Sequence, residues 1–127
     1  MPLMKTHLRT GRTAEEKQAI GDAVQAALVD VLGIPNDDLY QLFSEYGDAD
    51  FRHTDGYLGL TYSDQLLIIE LSFIEGRSEE MKKELLQAIN ANIVGTGAVG
   101  ADDVFVLITE VGRANVSFGQ GLAQRAQ

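Results

Sequence analysis

Apolar residues recur along this chain with two different spacings, and the spacings alternate. Residues 3–8 and 66–73 read as short strands. Each is followed by a Gly-Arg turn and then by a run at helical spacing. The first run carries Ile20, Val24, Leu28 and Val31, and the second Met81, Leu85, Ile89 and Ile93. Thr13 is a natural N-cap, and Glu16 three residues on completes a capping box. Ser78 caps the second helix, with Glu79 and Glu80 in the first turn, where carboxylates complement the helix dipole. Each helix ends in a glycine-containing stretch, then Asp-Asp, then a β-rich segment. These segments are YQLFSEY at residues 40–46 and VFVLITEV at residues 104–111.

An offset of 65 residues lays the first half of this pattern on the second without a gap. GRTAEEK at residues 11–17 falls on GRSEEMK at residues 76–82. Asp37 and Asp38 fall on Asp102 and Asp103, Tyr40 on Phe105, and Glu45 on Glu110. The 127 residues are therefore expected to form one domain of two repeat halves, about residues 2–50 and 66–119. Each half is a β-α-β unit whose returning strand is parallel to the first through a right-handed crossover. Two such units predict an α/β fold: a four-stranded mixed sheet with two helices on one face. The run LLIIELSF at residues 66–73 is apolar on nearly every side, as a strand buried on both faces is. No third helix is available for the second face, so other subunits are expected to cover it. Residues 47–65, rich in Gly and Asp, read as a connection with one short extended segment.

Charge narrows the function. Asp and Glu number 19 against 10 Lys and Arg, a net charge of -9. That opposes binding to nucleic acid, whose phosphates demand a basic face, and to an anionic membrane. In so acidic a chain, any local gathering of cations becomes informative. The absence of cysteine excludes disulfides, thiolate catalysis and sulfur-ligated metals. Two histidines, His7 and His53, are too few for a histidine-rich metal site and read as structural. No metal and no cofactor is expected. The longest apolar run is the four residues 66–69, and residues 1–12 lack the apolar core of a secretory signal. A cytoplasmic location is expected. Gly95, Gly97 and Gly100 spell GxGxxG, but a helix precedes them and a strand follows, the reverse of a dinucleotide site.

The chain opens MPLMK. Methionine is commonly trimmed before small residues, which would leave Pro2 as a secondary amine at the terminus. An α-amino group titrates at about pH 8 in model peptides. Burial lowers that value and a neighbouring carboxylate raises it. A neutral amine is a general base that can move a proton beside a carbonyl; a protonated one is a general acid that can polarise the carbonyl. Either role needs an arginine, whose planar fork grips a carboxylate and fixes the reacting bond. Arg77 precedes the helix cap Ser78, where a cation opposes the helix dipole, and this favours a ligand-binding role. Arg12 has the same placement in the first half.

PLMK at Pro2, GRT at Gly11, IPNDDLYQ at Ile34, RSEE at Arg77, DDV at Asp102 and SFGQG at Ser117 occur in an order and spacing of some specificity. With them the chain resembles the tautomerase superfamily, and within it the malonate semialdehyde decarboxylases. The resemblance runs over most of the chain. It implies a β-α-β fold, catalysis by an amino-terminal proline at Pro2, and a homotrimer. It implies that Asp38 partners the proline and that Arg77 binds a substrate carboxylate. It places Phe118 in an aromatic pair lining the pocket and, by likeness to the short tautomerases, Arg12 at the substrate. Tyr40, two residues from Asp38, packs or reaches substrate. Asp103 is a turn residue, because Leu67 stands at the proline-equivalent position of the second half. Two positions depart from the pattern: Glu75 replaces the first arginine of a pair, and Val116 replaces a tryptophan. The implied partner is a small carboxylate carrying a carbonyl or enol. Malonate semialdehyde decarboxylation is the first reading. A tautomerase or hydratase of 2-oxo acids of the phenylpyruvate type is the second, and a non-catalytic trimeric binding module the third.

Overall fold

A computed structural model describes all residues, 1–127. Strand β1 (Leu3–Arg9) turns into helix α1 (Ala14–Ala27), and the chain returns as β2 (Gln41–Tyr46). A small hairpin, β3 (Gly56–Tyr57) with β4 (Leu60–Thr61), interrupts the connection. Then β5 (Leu67–Ile74), α2 (Glu79–Gly95) and β6 (Val104–Val111) repeat the first unit. The sheet order is β2-β1-β5-β6. Within each unit the strands are parallel, and β1 meets β5 antiparallel. The result is the expected α/β fold: a mixed four-stranded sheet with two helices.

The local chemistry of the repeat survives in three dimensions. Thr13 and Glu16 form the capping box, with Glu16 N–H donating to Thr13 Oγ1 at 3.1 Å. Ser78 accepts from Met81 N–H at 3.2 Å. Gly11 and Gly76, in the two Gly-Arg turns, have φ of 121° and 125°, a conformation that side chains rarely adopt. Lys17 reaches Glu45 at 2.6 Å and Lys82 reaches Glu110 at 2.7 Å, each tying a helix to its returning strand. The hydrogen bond from Lys82 holds the Glu110 carboxyl below its ordinary range. A depressed carboxylate adds stability above its unfolded value and loses it as pH falls through the folded one.

The core lies between the sheet and the helices. Leu67, Ile69, Leu71 and Phe73 alternate inward from β5 and are fully buried. They pack with Met4 and Leu8 of β1, Ile20 and Val24 of α1, and Leu85, Ile89 and Ile93 of α2. The helical bonding of α1 stops at Ala27, earlier than its apolar spacing predicts. One wide π turn, Leu28–Leu32, keeps Leu28 in the core, and Gly33 at φ 70° ends it.

The second face of the sheet, expected to be covered by other subunits, is only partly covered within one chain. Ile68, Glu70, Ser72 and Ile74 are only half-buried. The register turns Glu70 outward with His7, whose Nε2 lies 2.6 Å from Glu70 Oε2 and whose Nδ1 lies 2.6 Å from Tyr46 Oη. Beside this polar line, Leu42, Phe105 and Leu107 stay exposed. Arg9 anchors the connection, donating to Phe51 O at 2.8 Å and Asp64 O at 3.0 Å.

Thr6 of β1 is fully buried among apolar neighbours, and its hydroxyl has no partner. An unpaired buried hydroxyl is destabilising. Thr6→Val is therefore expected to raise the unfolding free energy by about 1 kcal/mol in urea titration; a loss of stability would mean that the hydroxyl has found a partner in solution.

Candidate active site

Four strand ends meet at one edge of the sheet. Strands β1 and β2 start there, since Met4 pairs with Gln41. Strands β5 and β6 finish there, since Ile74 pairs with Val111 and Leu3 lies opposite Ser72. The antiparallel meeting of β1 and β5 thus brings the amino terminus of one repeat half to the Gly-Arg turn of the other.

Asp38 sits in the turn before β2. Its N–H donates to Pro35 O at 3.1 Å, and its carbonyl accepts from Gln25 Nε2 at 3.0 Å. Gln25 is buried in α1 and also donates to Asn36 O at 3.3 Å, so the helix pins the turn. The two Asp38 carboxylate oxygens accept from the terminal ammonium, carried by Met1, at 2.7 and 2.8 Å. Pro2, the next residue, is buried. The carboxylate therefore faces the point where the chain begins.

Arg77 comes from the turn after β5. Its Nη1 donates to Ile74 O at 3.2 Å, and its guanidinium lies 5.4 Å from the centre of the Phe73 ring. These contacts hold the stem and one edge of the fork. A cleft of about 610 Å³ opens here, and Met1, Glu75, Arg77, Ser78, Arg113 and Arg125 help to line it. Three guanidinium groups and the ammonium thus meet two carboxylates, Asp38 and Glu75, in a chain whose net charge is -9. The cleft is a local exception to an acidic molecule, suited to a small anion.

The other nominated residues fall elsewhere. Arg12 does not line this cleft; it donates to Gln65 O at 3.0 Å. Burial lowers the pKa of its guanidinium, and the nearby Glu16 and Asp103 carboxylates oppose that shift. Asp103 is buried and accepts from Ser63 N–H at 2.8 Å and Ser63 Oγ at 2.5 Å. Arg12 and Asp103 thus reproduce the placement of Arg77 and Asp38, but Leu67, at the position equivalent to Pro2, is mid-chain and offers no amine. Phe118 is absent from the cleft lining and stacks on Tyr40, ring centres 6.3 Å apart.

Three residues at this site escape the sequence reading. Gln25 reads as an ordinary polar helix position. Arg113 follows the last strand of the second half and Arg125 lies beyond the repeat, where no periodicity places them. One signal was available for these two: from Val111 to Gln127 there are two arginines and no acidic residue, against the trend of the chain.

The fold and this edge define a class. Two family models, each described as tautomerase enzyme, match the chain, one over residues 38–119 and the other over residues 2–59. The chain belongs to the tautomerase superfamily. It is 29% identical to the probable tautomerase YusQ of Bacillus subtilis (strain 168), over 98% of each chain. Among solved structures it resembles FG41 malonate semialdehyde decarboxylase inhibited by 3-bromopropiolate. The identity is 36%, the TM-score 0.89, and the match covers 98% of this chain and 94% of that one. A fused 4-OT wild-type symmetric trimer matches with 26% identity and a TM-score of 0.79, over 98% of both chains.

Proposed function

We propose that this protein is an enzyme whose catalyst is Pro2, freed by removal of Met1, acting on a small carboxylate that carries a carbonyl or enol. The observation that carries this reading is the chain's terminal ammonium, held by both oxygens of Asp38 beside a cleft that Arg77 lines. Asp38 orients the amine and Arg77 binds the substrate carboxylate. In decarboxylation, protonated Pro2 donates a hydrogen bond to the substrate carbonyl. The electrons of the breaking C–C bond flow toward that oxygen as carbon dioxide leaves, and the resulting enolate, stabilised by the hydrogen bond, takes one proton at carbon from solvent. The likeness to a malonate semialdehyde decarboxylase makes this the first choice.

One observation favours a second reading. Glu75 lines the cleft two residues from Arg77 and offsets its charge. That suits proton transfer within a 2-oxo acid, where neutral Pro2 takes a proton from the carbon beside the carbonyl and returns it elsewhere. The deciding experiment is intact mass of the purified protein, then assay of that sample with malonate semialdehyde and with phenylpyruvate. Loss of Met1 with carbon dioxide release supports decarboxylation. Loss of Met1 with enol–keto exchange alone supports the second reading. Processed protein with neither activity removes the enzymatic proposal.

Arg77→Ala is expected to raise KM for a carboxylate substrate about tenfold, the scale of one charge-assisted hydrogen bond, with a smaller change in kcat. Unchanged kinetics would restrict Arg77 to its contacts with Ile74 and Phe73. The working unit is proposed to be a homotrimer. The exposed Leu42, Phe105 and Leu107 on the helix-free sheet face, and the trimeric fused 4-OT neighbour, support that assembly. Light scattering on the assayed sample measures it.

A further inference from the structure

The charge balance inside the cleft raises a problem that Arg77 alone does not solve. Glu75 lines the same cleft, so the pair contributes no net charge, and the ammonium is already matched by Asp38. A carboxylate entering an acidic protein needs a net positive field. The remaining cations in the lining are Arg113 and Arg125.

Both stand on residues 112–127, which run from the end of β6 across this edge of the sheet. The segment is folded back on itself by polar contacts. Arg113 Nη1 donates to Arg125 O at 3.5 Å. Gln124 accepts from Phe118 N–H at 3.0 Å and donates to Gly119 O at 2.9 Å. Phe118 stacks on Tyr40, next to the Asp38 turn. The bond from Arg113 is long and reaches a neutral carbonyl, and neither guanidinium has a carboxylate partner. With 19 acidic residues in the chain, two unpaired arginines in one cleft leave room for an anion from outside.

We propose that Arg113 and Arg125 hold the substrate carboxylate together with Arg77 and are specificity-determining residues. The inference rests on the reading of this cleft as a small-carboxylate site. It assigns the second and third cations to the tail rather than to the turn after β5, where Glu75 stands. Arg113 also ties the two ends of the tail together, so its removal combines loss of charge with loss of a tether. Arg113→Gln removes the charge and the tether together, and circular dichroism on the same variant reads the loss of the tether apart from the loss of binding. Arg125→Gln removes a side chain while the carbonyl that Arg113 holds stays in place.

The test is calorimetric titration of the Met1-processed protein with malonate, an inert carboxylate probe. It compares wild type, Arg113→Gln, Arg125→Gln, the double variant, Pro2→Ala, and Lys83→Gln as a control on the exposed face of α2. Each single arginine variant is expected to weaken malonate binding about tenfold, and the double variant more than either. Lys83→Gln is expected to bind as wild type does, which excludes a general effect of net charge. Pro2→Ala is expected to bind malonate within about threefold of wild type, because the processed variant still presents a terminal ammonium to the cleft. Binding by the double variant as tight as by Lys83→Gln overturns the proposal, as does a wild type that turns over substrate yet ignores malonate. Full activity in a preparation that keeps Met1, where the Pro2 nitrogen is an amide, overturns the amine mechanism instead, and leaves the arginine assignment to stand or fall on the titration.

Discussion

With Pro2 replaced by alanine, turnover of a carbonyl-carboxylate substrate is expected to fall by about 10²- to 10⁴-fold, the contribution of a positioned acid or base. Alanine is also small enough to be freed from Met1, so the variant still presents an amine. What it loses is the ring. The pyrrolidine ring closes the nitrogen onto the side chain and holds it on a rigid frame, and the residue is buried at the root of β1. A primary amine on a free rotor meets Asp38 in many orientations, and few of them point at substrate. A preparation that keeps Met1 makes the same point by another route. There the proline nitrogen is an amide with no basicity, and the ammonium that Asp38 binds belongs to the preceding residue. Such a preparation is expected to be as inactive as the variant. Unchanged circular dichroism and assembly in both samples would place the loss in the chemistry. Rates within about threefold of wild type would remove the Pro2 amine from the mechanism in the Met1-retaining sample, and the need for its ring in the alanine variant.

The parts of this molecule that were legible in the sequence are those that obey a period. Strands, helices and caps followed from alternation, helical spacing and the Thr13 and Ser78 signals. The offset of 65 residues extends even to the ion pairs Lys17–Glu45 and Lys82–Glu110. The meeting of the terminal amine, Asp38 and Arg77 at one sheet edge follows from the antiparallel contact of β1 with β5. Three things lay beyond local pattern. The outer face of β5 carries Glu70, and its pairing with His7 depends on the register of β5 against β1, which neither segment discloses alone. Gln25 is a core hydrogen-bond donor because of where α1 packs, which its own neighbours do not disclose. Arg113 and Arg125 belong to a tail held by side-chain to main-chain bonds, and such bonds leave no spacing to read. Arg12 stands where the repeat puts it, as the counterpart of Arg77, but the terminal amine is at the other site.

That asymmetry yields a paired prediction, because one ancestral position now does two jobs. Asp38→Asn preserves the turn and the Gln25 bond to the main chain, and removes only the charge that faces the ammonium. It is expected to lower turnover by about 10²-fold or more, the lower end of what acid–base positioning contributes, with little change in stability. Asp103→Ala acts in the opposite sense. It strips the acceptor from Ser63 N–H and Ser63 Oγ at a buried position and leaves the partly desolvated Arg12 without its neighbour. Each orphaned group costs about 1–3 kcal/mol, so the loss of stability is expected to be about 3 kcal/mol. Its kcat, measured well below the unfolding temperature, is expected to match wild type. The crossed result, one variant stable and slow and the other fast and unstable, is what a duplicated unit with a single amine requires. A folded Asp103→Ala protein without activity would place chemistry in the second half. An Asp38→Asn protein at full rate would mean that the amine needs no carboxylate partner. The contrast is stronger than either variant alone, since a general loss of structure lowers both readouts together and only a division of labour separates them.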